Sequence, residues 1–247
     1  MCGRYVVASS PSLLAERLGV DELRVEDDTP DYNVAPRAQV MIVRQREDTR
    51  ILSRVRWGLV PSWAKDPSIG DRMVNARAEQ VADKPAFRRA FTKRRCLVPA
   101  DGFYEWEVVA PPSTPKGRPK KQPVFIHRRD GEPMAFAGLV EVWKVPEGCD
   151  PVPEGVDDGW LISCAIVTTE PNALLAPIHD RMPVVLPERA WARWLDPEEP
   201  DADALLELLV PAPDDLLELW PVSTQVNSAD NNNPDLVKPI GPTTTHG

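Results

Sequence analysis

The sequence predicts an α+β domain whose middle is a largely antiparallel sheet able to curl into a barrel, with helices flanking it. Three observations lead there. Apolar runs of strand length recur between residues 40 and 168, helix signals other than a short one at Pro85 lie on the flanks of that region, and 28 prolines in 247 residues mark many turns and short elements.

The elements follow in chain order. Ser10 as cap, Pro11 in the first turn, Leu13, Leu14 and Leu18 on one side and Gly19 as stop predict a first helix. Strands are predicted at Val40–Val43, Leu52–Leu59, Phe103–Trp106, Val124–His127, Ala135–Val142 and Leu161–Thr168. A short helix starting at Pro85 carries Phe87, Arg88, Arg89 and Phe91, and two more are predicted at Glu188–Leu195 and Ala202–Leu209. Residues 110–122 read as a flexible basic loop and 145–159 as an acidic one. From about Ser228 the Asn- and Thr-rich composition predicts a disordered tail. No internal repeat is present, so one domain is expected over residues 2–226, followed by a tail over 227–247.

A chain of this length buries ~70–75% of its unfolded surface and needs no disulfide or metal to hold a core. No run approaches ~18 consecutive apolar residues, and the start of the chain lacks the apolar stretch of a secretory signal. A cytoplasmic protein without membrane contact is expected. The four cysteines, Cys2, Cys96, Cys149 and Cys164, show no metal-ligand spacing; Cys96 and Cys164 lie in apolar strands and read as core, Cys149 in the acidic loop. No metal and no cofactor are expected. The net charge of −9 is unevenly spread: residues 36–95 carry 15 Lys/Arg against 6 Asp/Glu, and residues 141–247 carry 5 against 20. A basic face on an acidic protein is consistent with that division, as is an unevenly charged solvated surface.

Cys2 is the residue with distinctive chemistry. Initiator methionine is normally trimmed before a small residue, which would leave Cys2 with a free α-amine and a thiol on adjacent carbons. Unperturbed, those groups titrate at ~7.7–8.0 and ~8.5, so each has a reactive fraction near neutrality. An amine forms a Schiff base with an aldehyde, and the adjacent thiol can close it into a five-membered thiazolidine. From its position alone, Cys2 reads first as a residue that happens to follow the start.

Further segments bear on that choice. Cys-Gly-Arg-Tyr (2–5), Tyr-Asn-Val-Ala-Pro-Arg (32–37), Arg-Trp-Gly-Leu-Val-Pro-Ser-Trp-Ala (56–64) and Val-Asn-Ala-Arg-Ala-Glu (74–79) occur in this order. Cys-Leu-Val-Pro-Ala-Asp-Gly-Phe-Tyr-Glu-Trp (96–106), Ala-Phe-Ala-Gly-Leu (135–139) and Ile-His-Asp-Arg-Met-Pro-Val-Val-Leu (178–186) follow. The set resembles the SOS response-associated peptidase (SRAP) family over roughly residues 2–226. The resemblance implies a single domain on a distorted β-barrel, with a basic DNA groove. It implies that the N-terminal cysteine crosslinks to the aldehyde of an abasic site in single-stranded DNA, and that the same cysteine removes the initiator Met. It assigns Cys2 as nucleophile, Asn75 to the placement of its amine, and Glu105 and His179 to proton transfer. It assigns DNA contacts to Arg4, Asn33, Pro36, Arg77 and Arg181. The expected partner is single-stranded DNA containing an abasic site, bound by a monomer.

Read without the resemblance, Glu105 is a strand-face carboxylate, His179 a loop histidine capped by Asp180, and Asn75 a turn former. His127 reads as a sheet residue and His246 as tail. Trp57, Trp63 and Trp106 read as core before they read as stacking platforms for bases. Arg88, Arg89, Lys93, Arg94 and Arg95 read as general positive field. Where some family members carry a second aromatic as a DNA wedge, Ala64 follows Trp63, leaving Ile69 and Met73 as candidate replacements. Two other functions fit parts of the pattern. One is a hydrolase using Cys2 as thiolate with Glu105 or His179 as base; the other is a non-catalytic single-strand binder.

Overall fold

The computed structural model describes residues 2–26, 29–111, 117 and 119–245. The first half of the chain holds β1 (Tyr5–Val7), α1 (Pro11–Leu18), β2 (Glu22–Leu23), β3 (Asp31–Val34), β4 (Gln39–Arg46), β5 (Thr49–Trp57), β6 (Asn75–Arg77), α2 (Arg88–Lys93), β7 (Arg95–Ala100) and β8 (Gly102–Ala110). The second half holds β9 (Lys120–Arg128), β10 (Met134–Lys144), β11 (Val156–Asp157), β12 (Trp160–Thr169), β13 (Met182–Pro183), α3 (Glu188–Leu195), α4 (Ala202–Leu206), β14 (Leu217–Pro221) and β15 (Thr244–Thr245).

Five strands close on themselves. Antiparallel pairing runs β12–β10–β7–β4–β5, and β5 then meets β12 in parallel through Arg56↔Ser163 and Trp57↔Cys164. Ring closure removes free edges from these strands. The β4–β5 hairpin turns at Glu47, whose φ of 52° is left-handed, and holds register from Gln39↔Arg56 to Arg46↔Thr49. Ile42, Val55, Cys96, Val140 and Cys164 are buried in the core. Gly138 is required where β10 crosses Cys96: a Cβ there would lie 2.6 Å from the Cys96 sulfur. A second, six-stranded sheet in the order β15-β14-β9-β8-β1-β3 stands beside the barrel. Its core-facing residues Tyr5, Phe103 and Ile126 join the barrel core, and Val6, Tyr104 and Phe125 form a separate cluster.

The α+β class and the barrel agree with the sequence expectation, and several elements differ from it. Ser10 Oγ accepts from the Leu13 N–H at 3.2 Å and Gly19 ends α1 at φ 63°, but Leu13 is exposed and the buried stripe is Leu14 and Leu18. α2 begins at Arg88, three residues after Pro85, because residues 84–87 form a turn first. α4 stops at Leu206. Lys120–Gln122, expected in a loop, are strand; residues 112–116 and 118 of that loop, Met1 and His246 lie outside the described residues.

The expected disordered tail is the largest correction. Asn33 Nδ2 donates to the carbonyls of Ser228 (2.8 Å) and Asn231 (2.9 Å), and Trp220 Nε1 donates to that of Val237 (2.8 Å). Leu236 is fully buried against the cluster of Val6, Tyr104, Phe125, Val222 and Val226, and β15 pairs with β14. Polar composition hid an apolar anchor, Leu236, which together with Val226 at the end of the expected domain covers the outer face of the sheet. Among the described residues no helix is long and apolar enough to cross a membrane.

Candidate active site around Cys2

β1 brings the start of the chain between two other strands. It pairs with β8 as Tyr5↔Phe103 and Val6↔Gly102, and the Tyr104 N–H donates to the Arg4 carbonyl at 3.0 Å. Continued one step, that register sets Gly3 opposite Glu105 and brings Cys2 beside the carboxyl. Glu105 is 3% exposed, and burial pushes its pKa from 4.5 up to about 7. Cys2 is fully buried; burial raises its thiol far above the usual range, and the Glu105 charge adds to the effect.

β6 lies parallel to β12, with Asn75↔Ile166, Ala76↔Val167 and Arg77↔Thr168. Strand alternation sends Ala76 into the core and Asn75 and Arg77 to the opposite side. Asn75 Nδ2 donates to the Cys2 carbonyl at 2.8 Å, while Asn75 Oδ1 is buried with no hydrogen-bond partner among the described residues. A buried acceptor of this kind has a strong demand for a donor.

His179 follows a turn in which its N–H and that of Ile178 donate to the Leu175 carbonyl. Its Nδ1 accepts from the Arg181 N–H at 3.0 Å, which assigns the ring proton to Nε2. Burial lowers its pKa, so the imidazole is neutral near pH 7. Nδ1 also lies 2.9 Å from the exposed Asp180 carboxylate; with the ring neutral and Nδ1 accepting, that is a close approach and not a salt bridge. Lys121 on β9 acts electrostatically on both Glu105 and His179, favouring the ionised carboxylate and the neutral imidazole.

The cationic residues divide by availability. Arg77 is exposed, with no hydrogen bond or ion pair among the described residues. Arg181 is engaged by bidentate contacts to Glu79 (2.6 and 3.0 Å) and by the Thr168 carbonyl (2.5 Å). Arg4 Nη1 donates to Asn33 Oδ1 (2.6 Å) and to the Val226 carbonyl (2.9 Å). Asn33 is buried and holds the 226–231 segment, and Pro36 is half-buried in the turn after β3. Trp57 is core, with Nε1 donating to the Val74 carbonyl. Trp63 is not: at 58% exposed it stands in the turn beyond β5, while Ala64, Ile69 and Met73 pack inward. Trp106 is half-buried and donates to Asn227 Oδ1 at 2.8 Å.

The expected positive field at 88–95 is divided: Arg88, Arg89 and Lys93 are exposed, whereas Arg94 and Arg95 are structural. Arg95 is buried and donates to four carbonyls, those of Phe91, Thr92, Trp194 and Asp196, and Arg94 pairs with Glu141. Sequence reasoning passed over Glu79 and Lys121. Glu79 closes the segment 74–79, and its charge beside Arg77 was the available signal; Lys121 was hidden by the loop assignment.

Comparison with known proteins gives a consistent answer. The family pattern described as SOS response associated peptidase (SRAP) matches residues 1–229. Abasic site processing protein YoqW of Bacillus subtilis (strain 168) is 40% identical over 239 residues, covering 96% of this chain and 99% of its own. Abasic site processing protein YedK of Escherichia coli (strain K12) is 31% identical over 248 residues, covering 97% and 100%. A crystal structure of a protein from Bacteroides thetaiotaomicron shares the fold at a TM-score of 0.77 and 22% identity, covering 96% of this chain and 99% of that one. A phage-related protein from Bordetella bronchiseptica follows at a TM-score of 0.66 and 30% identity, covering 90% and 94%. With the pattern spanning the barrel, all of the second sheet but β15, and every residue around Cys2, the chain belongs to the SOS response associated peptidase family.

Proposed function

We propose that the protein senses abasic sites in single-stranded DNA and, once Met1 is removed, joins Cys2 covalently to the ring-opened sugar. The α-amine attacks the aldehyde carbon, water leaves, and an imine forms. The thiol then adds across the C=N bond, its proton passes to nitrogen, and a thiazolidine closes. One water is lost overall and no oxidant or cofactor is needed. The names of the relatives, abasic site processing proteins, support the substrate class.

The observation that carries this reading is the buried Glu105 carboxyl, held at about 7 beside Cys2. Near neutrality both of its forms are populated, so one group can protonate the sugar ring oxygen and take a proton back. Asn75 Oδ1, an acceptor buried next to Cys2, suits the α-amine as donor. Neutral His179 can relay the proton that leaves with water. Arg77 is placed for a phosphate, Arg4 and Asn33 act by holding the 226–231 segment at the site, and Arg181 reaches a phosphate by exchanging Glu79 for it. The imine stage would also permit β-elimination, a lyase side reaction, and Met1 removal by the same residues is the family-derived expectation. The protein acts on DNA in the cytoplasm as a monomer in this reading. A hydrolase would need Cys2 as thiolate, and burial and Glu105 both oppose that charge.

The test is intact mass of the protein mixed with a single-stranded oligonucleotide carrying one abasic site. The expected product is protein lacking Met1 plus DNA minus one water, formed without reductant. Absence of that mass with a natural N-terminus rejects the proposal.

A further inference from the structure

At the end of the barrel away from Cys2, the parallel seam between β5 and β12 stops after two pairs and the strands part. β2 takes over pairing with β5 at Ile51 and Leu52, and β11 with β12 at Trp160 and Leu161. Between them opens a cavity of about 630 Å³, well within the range of small-molecule sites and, like many of them, in the mouth of a barrel. Val140, Val142 and Ile162 form its apolar floor.

Two buried polar atoms in this mouth lack partners. Arg44 and Ser53 lie on the inner face of the hairpin, since Ser53 opposes Ile42 and Arg44 acts electrostatically on Cys96 in the lumen. Arg44 Nε and Ser53 Oγ are buried without a hydrogen bond, and neither Arg44 nor Arg46 has an ion pair among the described residues. Burial disfavours the Arg44 charge, and the nearby charges of Arg46 and Arg24 disfavour it further. A half-buried guanidinium whose Nε is out of reach of water gains from an anionic ligand. Phosphate oxygens satisfy it bidentately. At the rim the Trp160 indole is 44% exposed, with the Lys144 ammonium 5.9 Å from its ring centroid, and Asp157 and Asp158 supply acceptors that penalise a bare polyanion but suit one carrying N–H or O–H donors.

We propose that this barrel mouth binds a nucleotide, with phosphates on Arg44, Arg46 and the Ser53 hydroxyl and the base on Trp160 and Ile162. The site stands apart from Cys2 and does not depend on the abasic-site reading.

The test is calorimetric titration and thermal unfolding of the full chain with ADP at low salt, with inorganic pyrophosphate and an undamaged oligothymidylate as parallel arms. ADP should bind and raise Tm with concentration. Arg44→Met should keep or raise the ligand-free Tm and weaken ADP binding at least about tenfold. If Arg44→Met misfolds, Arg46→Gln on the exposed rim carries the same test. Trp160→Ala should bind pyrophosphate as the parent does and lose the preference for ADP. Displacement of ADP by the oligonucleotide identifies a strand-borne nucleotide as the occupant, and simultaneous binding identifies a free one. No ADP binding by the parent, equal ADP and pyrophosphate affinity, or undiminished binding by the arginine variant overturns the proposal.

Discussion

Replacing Glu105 with Gln tests the electrostatic core of the site through stability alone. Folding lifts this carboxyl from 4.5 to about 7. At ~1.4 kcal/mol per unit, that lift corresponds to about 3 kcal/mol. Below about pH 4.5 the folded and unfolded chains both hold the proton, and Glu105 makes no pH-dependent contribution. As pH rises, the unfolded chain releases it first, the folded chain holds more protons, and stability falls. The loss is complete above about pH 7, where both forms are ionised. Gln has no such titration. The unfolding free energy of Glu105→Gln relative to the parent should therefore climb by about 3 kcal/mol between about pH 4.5 and about pH 8, most of it before pH 7. Urea unfolding curves across that range measure the difference, and the other carboxylates cancel in the subtraction. A difference that stays flat would mean that the carboxyl is solvated, and the placement of Glu105 against Cys2 would be wrong.

Other expectations concern chemistry, DNA and the tail. Glu105→Gln should slow single-turnover crosslinking by ~10²–10⁴-fold. Cys2→Ser keeps the amine and loses the sulfur, so denaturing gels should show a borohydride-trappable adduct but none that survives heat without reductant; a retained Met1 should abolish both. Arg77→Gln should reduce the slope of log affinity against log salt by ~0.7 for single strands in anisotropy titrations. Glu79→Gln frees Arg181 from its carboxylate and should raise DNA affinity in the same assay; unchanged or weaker binding would keep Arg181 out of the interface. Leu236→Ala should cost ~2–5 kcal/mol in urea unfolding, where a loose tail would give a change near zero.

Local signals are readable in the sequence and distant partners are not. α1 occupies the residues its Ser10 cap and Gly19 stop predict and α3 its expected span, because those signals are local, and the six long strands show themselves by their apolar centres. β1, with three residues, is too short to show alternation, and β7 contains Pro99 and starts at a buried Arg95, both of which argue against a strand in isolation. Arg95 is tolerated because carbonyls of α2 and of the end of α3 converge on it. Around the site, the motifs name Cys2, Asn75 and Glu105, and the structure gathers these three about one point. The engagement of Arg181 by Glu79 and of Asn33 by the 226–231 segment depends on residues more than a hundred positions away, and no local pattern reports them.

The two-pair parallel seam between β5 and β12 also sets an order of events in folding. Its partners, Arg56 with Ser163 and Trp57 with Cys164, are more than a hundred positions apart, whereas the β4–β5 hairpin and the β10–β12 ladder join near neighbours. Loop-closure entropy therefore makes the seam the last joint of the ring to form. Until it does, β5 and β12 are open edges, and the short strands β2 and β11 cover their outer halves. The same joint is the first to part on local opening, so amide exchange at Gly58, whose N–H donates to the Cys164 carbonyl across it at 2.9 Å, should outpace exchange in the middle of β10.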